Sequence, residues 1–198
     1  MIFFLSFKSR GRIEAHGFFF GETMNIVLIG YRCSGKTTIG KILAEEMGLD
    51  FVDMDALIET NAGCSIEAIV SRKGWGSFRD MERKLAEDLS HGDDLVIATG
   101  GGIVTDRKNV ERLKQNGWIV WLNAKEDILM ERMEGENKSG KARPSLTGTD
   151  PLKEINEVLA VRKPLYKKAA SFVVDTSRLP PDEAALVIMK EFQTELKG

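Results

Sequence analysis

Cysteine is scarce. Cys33 and Cys64 are the only two in 198 residues, too few for a disulfide framework, and no CxxC pair suggests structural zinc. A reducing, cytoplasmic setting is therefore expected. An excess of positive charge is also missing: 28 Lys and Arg stand against 30 Asp and Glu, a net charge of −2. Proteins that grip a nucleic-acid backbone are usually strongly basic, so no nucleic-acid partner is expected. No apolar run approaches the roughly 18 residues that span a bilayer, which argues against a membrane partner. What remains is a chain 42% hydrophobic and 29% charged, the composition of one globular domain whose core needs no covalent or metal staple.

Residues 1–23 stand apart. Ile2, Phe3, Phe4, Leu5 and Phe7 come first, then Lys8, Arg10 and Arg12, then Phe18, Phe19 and Phe20. A secretory signal places its charge before a longer apolar region, the reverse of this order. The segment is expected to be a disordered leader, or to precede a natural start at Met24. Residues 24–198 would form a single domain.

That domain alternates strands and helices. Short apolar runs at 25–29, 51–53, 95–98, 118–122 and 172–174 predict five strands. Between them, Ile39, Ile42, Leu43 and Met47 fall on one helical face, as do Phe78, Met81, Leu85 and Leu89, and Ala184, Ile188, Phe192 and Leu196. Further helices are predicted at 106–116, 125–133 and 150–162. Unbroken apolar strands separated by helices mean a parallel sheet covered on both faces, an α/β fold. In such sheets ligands bind outside the carboxyl ends of the strands. Three chemically suggestive segments, 30–37, 53–55 and 99–102, directly follow a strand.

The strongest of these reads Gly30-Tyr31-Arg32-Cys33-Ser34-Gly35-Lys36-Thr37. It fits GxxxxGK[ST] without a mismatch, with a strand before it and an amphipathic helix after. Its glycines let successive N–H groups turn inward toward phosphate oxygens, and the helix N-terminus adds partial positive charge. Lys36 would reach the outer phosphates, and the Thr37 hydroxyl can ligate Mg²⁺. Cys33 suits the tight turn as a small side chain, and no redox role is expected of it.

Asp53 and Asp55 flank Met54 at the end of the second strand. Two apart in a strand, they would share a face and project toward the phosphate loop, one serving Mg²⁺ and the other an acceptor hydroxyl. The alternative is that they cap a helix at 55–61. Arg79 is either a solvated helix arginine or a cleft residue. Arg162 is expected at a helix break, because Pro164 disfavours helix at Lys163. Two arginines suit a carboxylate, which they grip in bidentate fashion. Residues 134–149 are polar, carry glycines and Arg143, and are too long for a simple connector, so a mobile lid is expected there.

Taken in order, the phosphate loop with Thr38-Ile39-Gly40-Lys41 after it, Asp53-Met54-Asp55, Phe78-Arg79 with Glu82, Gly100-Gly101-Gly102, Arg143-Pro144, and Arg162 with Pro164-Leu165-Tyr166 resemble shikimate kinase over about residues 25–195. The resemblance implies a P-loop NTPase of the nucleoside monophosphate kinase type, its five-stranded parallel sheet ordered 2-3-1-4-5, with a lid. It implies transfer of the ATP γ-phosphate to the 3-hydroxyl of shikimate, in aromatic amino-acid biosynthesis, by a monomeric enzyme. Lys36, Asp55 and Arg143 would be catalytic. Cys33, Ser34, Gly35, Lys36, Thr37, Thr38, Arg132 and Arg143 would bind ATP, with residues 176–181 beside the adenine. Asp55, Arg79, Gly101, Gly102 and Arg162 would bind shikimate, and Thr37 and Asp53 would serve Mg²⁺. Ser145, Leu179 and the bulky Tyr31-Arg32-Cys33 depart from the family's common pattern. The alternatives are a P-loop kinase for another small hydroxylated acid, and a non-catalytic nucleotide-binding homologue.

Overall fold

In the computed structural model, which describes residues 24–138 and 151–197, the sheet forms around its most apolar strand. All five residues of β1 (Asn25–Ile29) are buried. It pairs in parallel with β3 (Leu95–Ala98) on one side and β4 (Gly117–Asn123) on the other. The edges are β2 (Asp50–Asp53), against β3, and β5 (Phe172–Asp175), against β4. The order is β2-β3-β1-β4-β5, all parallel, as the resemblance implied. Both edge strands are less buried than the central three.

Strand pleating divides the core in two, since successive side chains point to opposite faces. Val27 and Ile29 of β1 pack with Ile97, Ile119 and Trp121 under α3 (Ile66–Ser90), α4 (Arg107–Gln115) and α6 (Pro151–Ala169). Ile26 and Leu28 face the other way, against Ile39 and Leu43 of α1 (Lys36–Met47) and Ile188 and Phe192 of α7 (Pro181–Glu195). The short α2 (Met54–Ala62) follows β2, and α5 (Glu126–Lys138) follows β4.

Three expectations change. The helix marked by Phe78 to Leu89 is the second half of a longer one: α3 begins at Ile66 and kinks at Gly74, whose φ of 77° and ψ of 167° lie outside helical space. The helix expected at 125–133 runs further, because α5 continues through Lys138 and so takes in residues 134–138 of the segment expected to be a lid. Finally, α6 does not stop before Pro164 but runs through it to Ala169. The lost backbone bond and ring clash are outweighed by tertiary packing beyond the proline. There Tyr166 is fully buried and stacks on Trp121 at 5.7 Å. The segment 1–23, expected to be a leader, and residues 139–150 of the expected lid, with Arg143, lie outside the described residues. Among the described residues no helix is long and apolar enough to cross a membrane.

Candidate active site

A parallel sheet sends every strand's carboxyl end to one edge, so the segments after β1, β2 and β3 meet there. The first is the phosphate loop. Cys33 takes a positive φ of 61° and Gly35 one of 98°, which curl the chain into a cradle. The Lys36 ammonium folds over it, donating to the carbonyls of Gly30 at 2.9 Å and Tyr31 at 2.8 Å. Thr37 and Thr38 lie exposed in the first turn of α1, where unpaired N–H groups and the helix dipole favour an anion.

Two elements brace the loop from outside. Arg132, on α5, donates to the Thr176 carbonyl at 2.6 Å, and to the Thr176 hydroxyl and the Cys33 carbonyl at 3.3 Å each. Thr176 donates in turn to the carbonyl of buried Ser34 at 3.2 Å. One guanidinium thus joins α5, the phosphate loop and the turn after β5. The Cys33 thiol donates to the Glu136 carboxylate at 3.3 Å. Burial and that neighbouring carboxylate push the thiol up to about 12. That shift favours the neutral thiol over the thiolate.

Asp53 caps a helix, one of the readings offered for it, and also reaches the phosphate loop. It is the N-cap of α2, accepting from the backbone N–H groups of Asp55 at 3.1 Å and Ala56 at 3.2 Å. Its other oxygen accepts from the Thr37 hydroxyl at 2.7 Å. The expectation that Asp53 and Asp55 share a strand face does not hold. The chain becomes helix at Met54, so Asp55 sits in the first turn of α2.

Beside the loop opens a cavity of about 280 Å³, lined by Asp55, Arg79, Glu82, Gly101, Gly102 and Arg162, with Trp75 and Phe78 as its apolar wall. Arg79 is no solvated arginine. It pairs with Glu82 at 2.6 Å, and its guanidinium lies 5.2 Å from the Phe78 ring and 5.8 Å from the Trp75 ring. It also lies directly on Gly102, where a Cβ would collide with it. Glu82 is 1% exposed. Its burial pushes its carboxyl up, opposed by Arg79 and reinforced by Asp55. From α6, Arg162 donates to the Gly101 carbonyl at 3.1 Å and Tyr166 donates to the same oxygen at 2.5 Å. That carbonyl orients Arg162 toward the cavity, in place of the helix break expected from Pro164.

The structure thus brings Asp55, Arg79, Gly101, Gly102 and Arg162 to one cavity, and groups Lys36, Thr37 and Asp53 at the loop beside it. The sequence gives no role to Glu82 or Tyr166, though both stand in the motifs that carry the resemblance, and it places Thr176 only within the adenine-side segment 176–181. Glu82 is three residues from Arg79 on a helix, a visible ion-pair spacing. What no local signal marks is the partners of the other two: Tyr166 meets the Gly101 carbonyl after β3, and Thr176 meets Arg132 on α5 and Ser34 in the phosphate loop. Among the described residues no three His, Cys, Asp or Glu side chains gather as a metal cage.

A site that cradles phosphates against one wall and offers arginines and carboxylates to a small acceptor against the next belongs to a phosphate-loop small-molecule kinase. The chain matches the family model for shikimate kinase over residues 32–193. It is 43% identical to the shikimate kinase of Thermodesulfovibrio yellowstonii, over 88% of this chain and 98% of that protein. The solved structure of the Acinetobacter baumannii shikimate kinase in complex with shikimate superposes with a TM-score of 0.81 at 32% identity, covering 87% of this chain and 94% of that one. The shikimate kinase of Aquifex aeolicus superposes with a TM-score of 0.73 at 30% identity, over 88% and 99% of the two chains. This chain belongs to the shikimate kinase family.

Proposed function

We propose that this chain transfers the γ-phosphate of ATP to the 3-hydroxyl of shikimate, yielding shikimate 3-phosphate and ADP, on the route to chorismate and the aromatic amino acids. The observation that carries this reading is the meeting of Arg79, Arg162 and Asp55 in one cavity beside the phosphate loop. A hydroxylated ring bearing one carboxylate matches that set. Arg79 and Arg162 bind its carboxylate by charge-assisted hydrogen bonds. Asp55 holds the hydroxyl that attacks and is placed to accept its proton. Gly101 and Gly102 let the ring lie close to the backbone.

On the other wall, residues 33–38 hold the phosphates and Lys36 neutralises the charge that develops on the transferred group. Arg132 and residues 176–181 are assigned to the adenine side. Arg143, outside the described residues, is assigned from the sequence to the ATP phosphates. The Thr37 hydroxyl and the Asp53 carboxylate are two hard oxygen donors 2.7 Å apart. They suit Mg²⁺, which takes one or two protein oxygens beside phosphates and water rather than an all-protein cage. Thr37 would ligate it directly and Asp53 through water. When bound, the ion screens the phosphate charge against the incoming hydroxyl.

The test is ADP release from ATP and Mg²⁺ across a panel of hydroxy acids including shikimate and gluconate. The product of the best acceptor is then identified by ³¹P NMR. Shikimate is expected to give by far the highest kcat/KM and a 3-phosphate ester. Preference for another acceptor overturns the assignment.

A further inference from the structure

One buried ion pair crosses the site and is used by none of the roles above. Arg32, inside the phosphate loop, pairs with Glu154 on α6, 122 residues away in sequence. The Arg32 side chain is 12% exposed and that of Glu154 is 1% exposed. Arg32 also lies 5.6 Å from the centre of the buried Tyr31 ring and lines the cavity together with Asp55, Arg79 and Arg162.

Burying two charges for stability alone is inefficient. Desolvation offsets most of the attraction, and an apolar pair of similar volume commonly serves as well. A charge retained in such a place needs another reason, and its position supplies one. Arg32 belongs to the loop that receives the transferring phosphoryl group. It also borders the cavity that holds the acceptor. The backbone there is close: a Cβ at Gly101 would sit 3.4 Å from the Arg32 nitrogen. A guanidinium is a planar fork that binds carboxylates and phosphates in bidentate fashion. Glu154 holds that fork from one side, and the Tyr31 ring supports its face. Eight residues on, roughly two helical turns, the same helix presents Arg162 to the same cavity.

We propose that Arg32 is a further acceptor-binding residue, placed where the attacking hydroxyl meets the phosphoryl group, and that Glu154 is its positioning residue. Arg32 acts on an anionic, hydroxylated acceptor and on the phosphate ester formed from it. This deepens the shikimate reading and rests on it. Glu154 touches neither substrate and works only by fixing the guanidinium.

The experiment compares the full chain with Arg32→Met/Glu154→Leu, Arg32→Lys and Glu154→Gln, measuring thermal stability, kcat, and KM for shikimate and for ATP. The double variant replaces the ion pair by an apolar one, so its Tm is expected to stay near wild type. Its kcat/KM for shikimate is expected to fall about 10- to 100-fold, the scale of one charge-assisted hydrogen bond, with KM for ATP changed much less. Arg32→Lys keeps the charge beside Glu154 but not the fork, and is expected to fall in the same direction. Glu154→Gln is expected to show a smaller loss that also spares ATP. If the double variant folds poorly, calorimetric titration of shikimate into Arg32→Lys decides. Weaker binding than wild type supports the assignment, and equal binding overturns it. Wild-type kcat/KM for shikimate in a folded double variant reduces the pair to structure alone. Failure of the wild-type chain to phosphorylate shikimate would overturn the broader reading instead, so the two failures are distinct.

Discussion

Lys36 illustrates how much one side chain decides here. Its ammonium is held over the loop by the Gly30 and Tyr31 carbonyls, so Lys36→Met is expected to remove turnover and leave the far-UV circular dichroism unchanged. Near wild-type turnover would overturn the phosphate-loop assignment. Arg79 and Arg162 line the cavity proposed for the other substrate. Truncating either to Ala is expected to raise KM for shikimate well above any change in KM for ATP, a loss on the order of 2–5 kcal/mol if the contact is buried and charged. Gly102→Ala should shift KM for shikimate in the same direction but less than Arg79→Ala, because the new Cβ would push the flexible guanidinium aside without removing it. Steady-state KM values for both substrates check all three. Glu82 links the site to stability. Burial holds its carboxyl above the usual 4.5, so the folded state keeps a proton that the unfolded chain has lost. The stabilising contribution is full below about pH 4.5 and fades as pH rises through the raised value. The Tm of Glu82→Gln is expected to fall less than that of wild type across this window.

Among the elements, α3 and α6 show how tertiary contacts reshape local preference. The α3 kink sits at Gly74, in backbone space that side chains scarcely adopt. It redirects the helix just before Trp75, Phe78 and Arg79, the residues that face the cavity. Gly74→Ala is expected to cost about 1–3 kcal/mol, read by urea denaturation, and to weaken shikimate binding with it. The glycine was visible in the sequence, and Ile66, Ile69 and Val70 before it do fall on one helical face, but that stretch is short and set off by the glycine, so only the second half of α3 was assigned. Pro164 misled in the opposite direction. A local rule ends the helix there, whereas Tyr166, buried against Trp121 and bonded to Gly101, carries it on. For Asp53, strand alternation failed because β2 ends where the helix cap begins, a boundary that spacing alone does not mark.

At the scale of the whole molecule, a double-faced sheet buries nearly every side chain of the central strands. Ile97 and Ile119 are 0% and 1% exposed. Replacing either by Ala is expected to cost about 2–5 kcal/mol, lowering Tm by roughly 2–4 °C per kcal/mol in a chain of this size. Differential scanning calorimetry measures this, and kcat of the surviving folded fraction should be unchanged. The strand runs, the parallel α/β class and the phosphate loop were determined by the sequence itself, because apolar periodicity and glycine-rich turn chemistry are local properties. The proposed acceptor residues were named through the resemblance, by ordered motifs whose members are recognisable one by one. Only the tertiary structure decided which of them share a cavity. Arg79 comes from a kinked helix, Arg162 from a helix running through a proline, and Asp55 from a helix turn rather than a strand. Glu154 reaches Arg32 across 122 residues. Such partnerships depend on how β1, β3 and α6 are stacked, and no spacing along the chain encodes a distance across it.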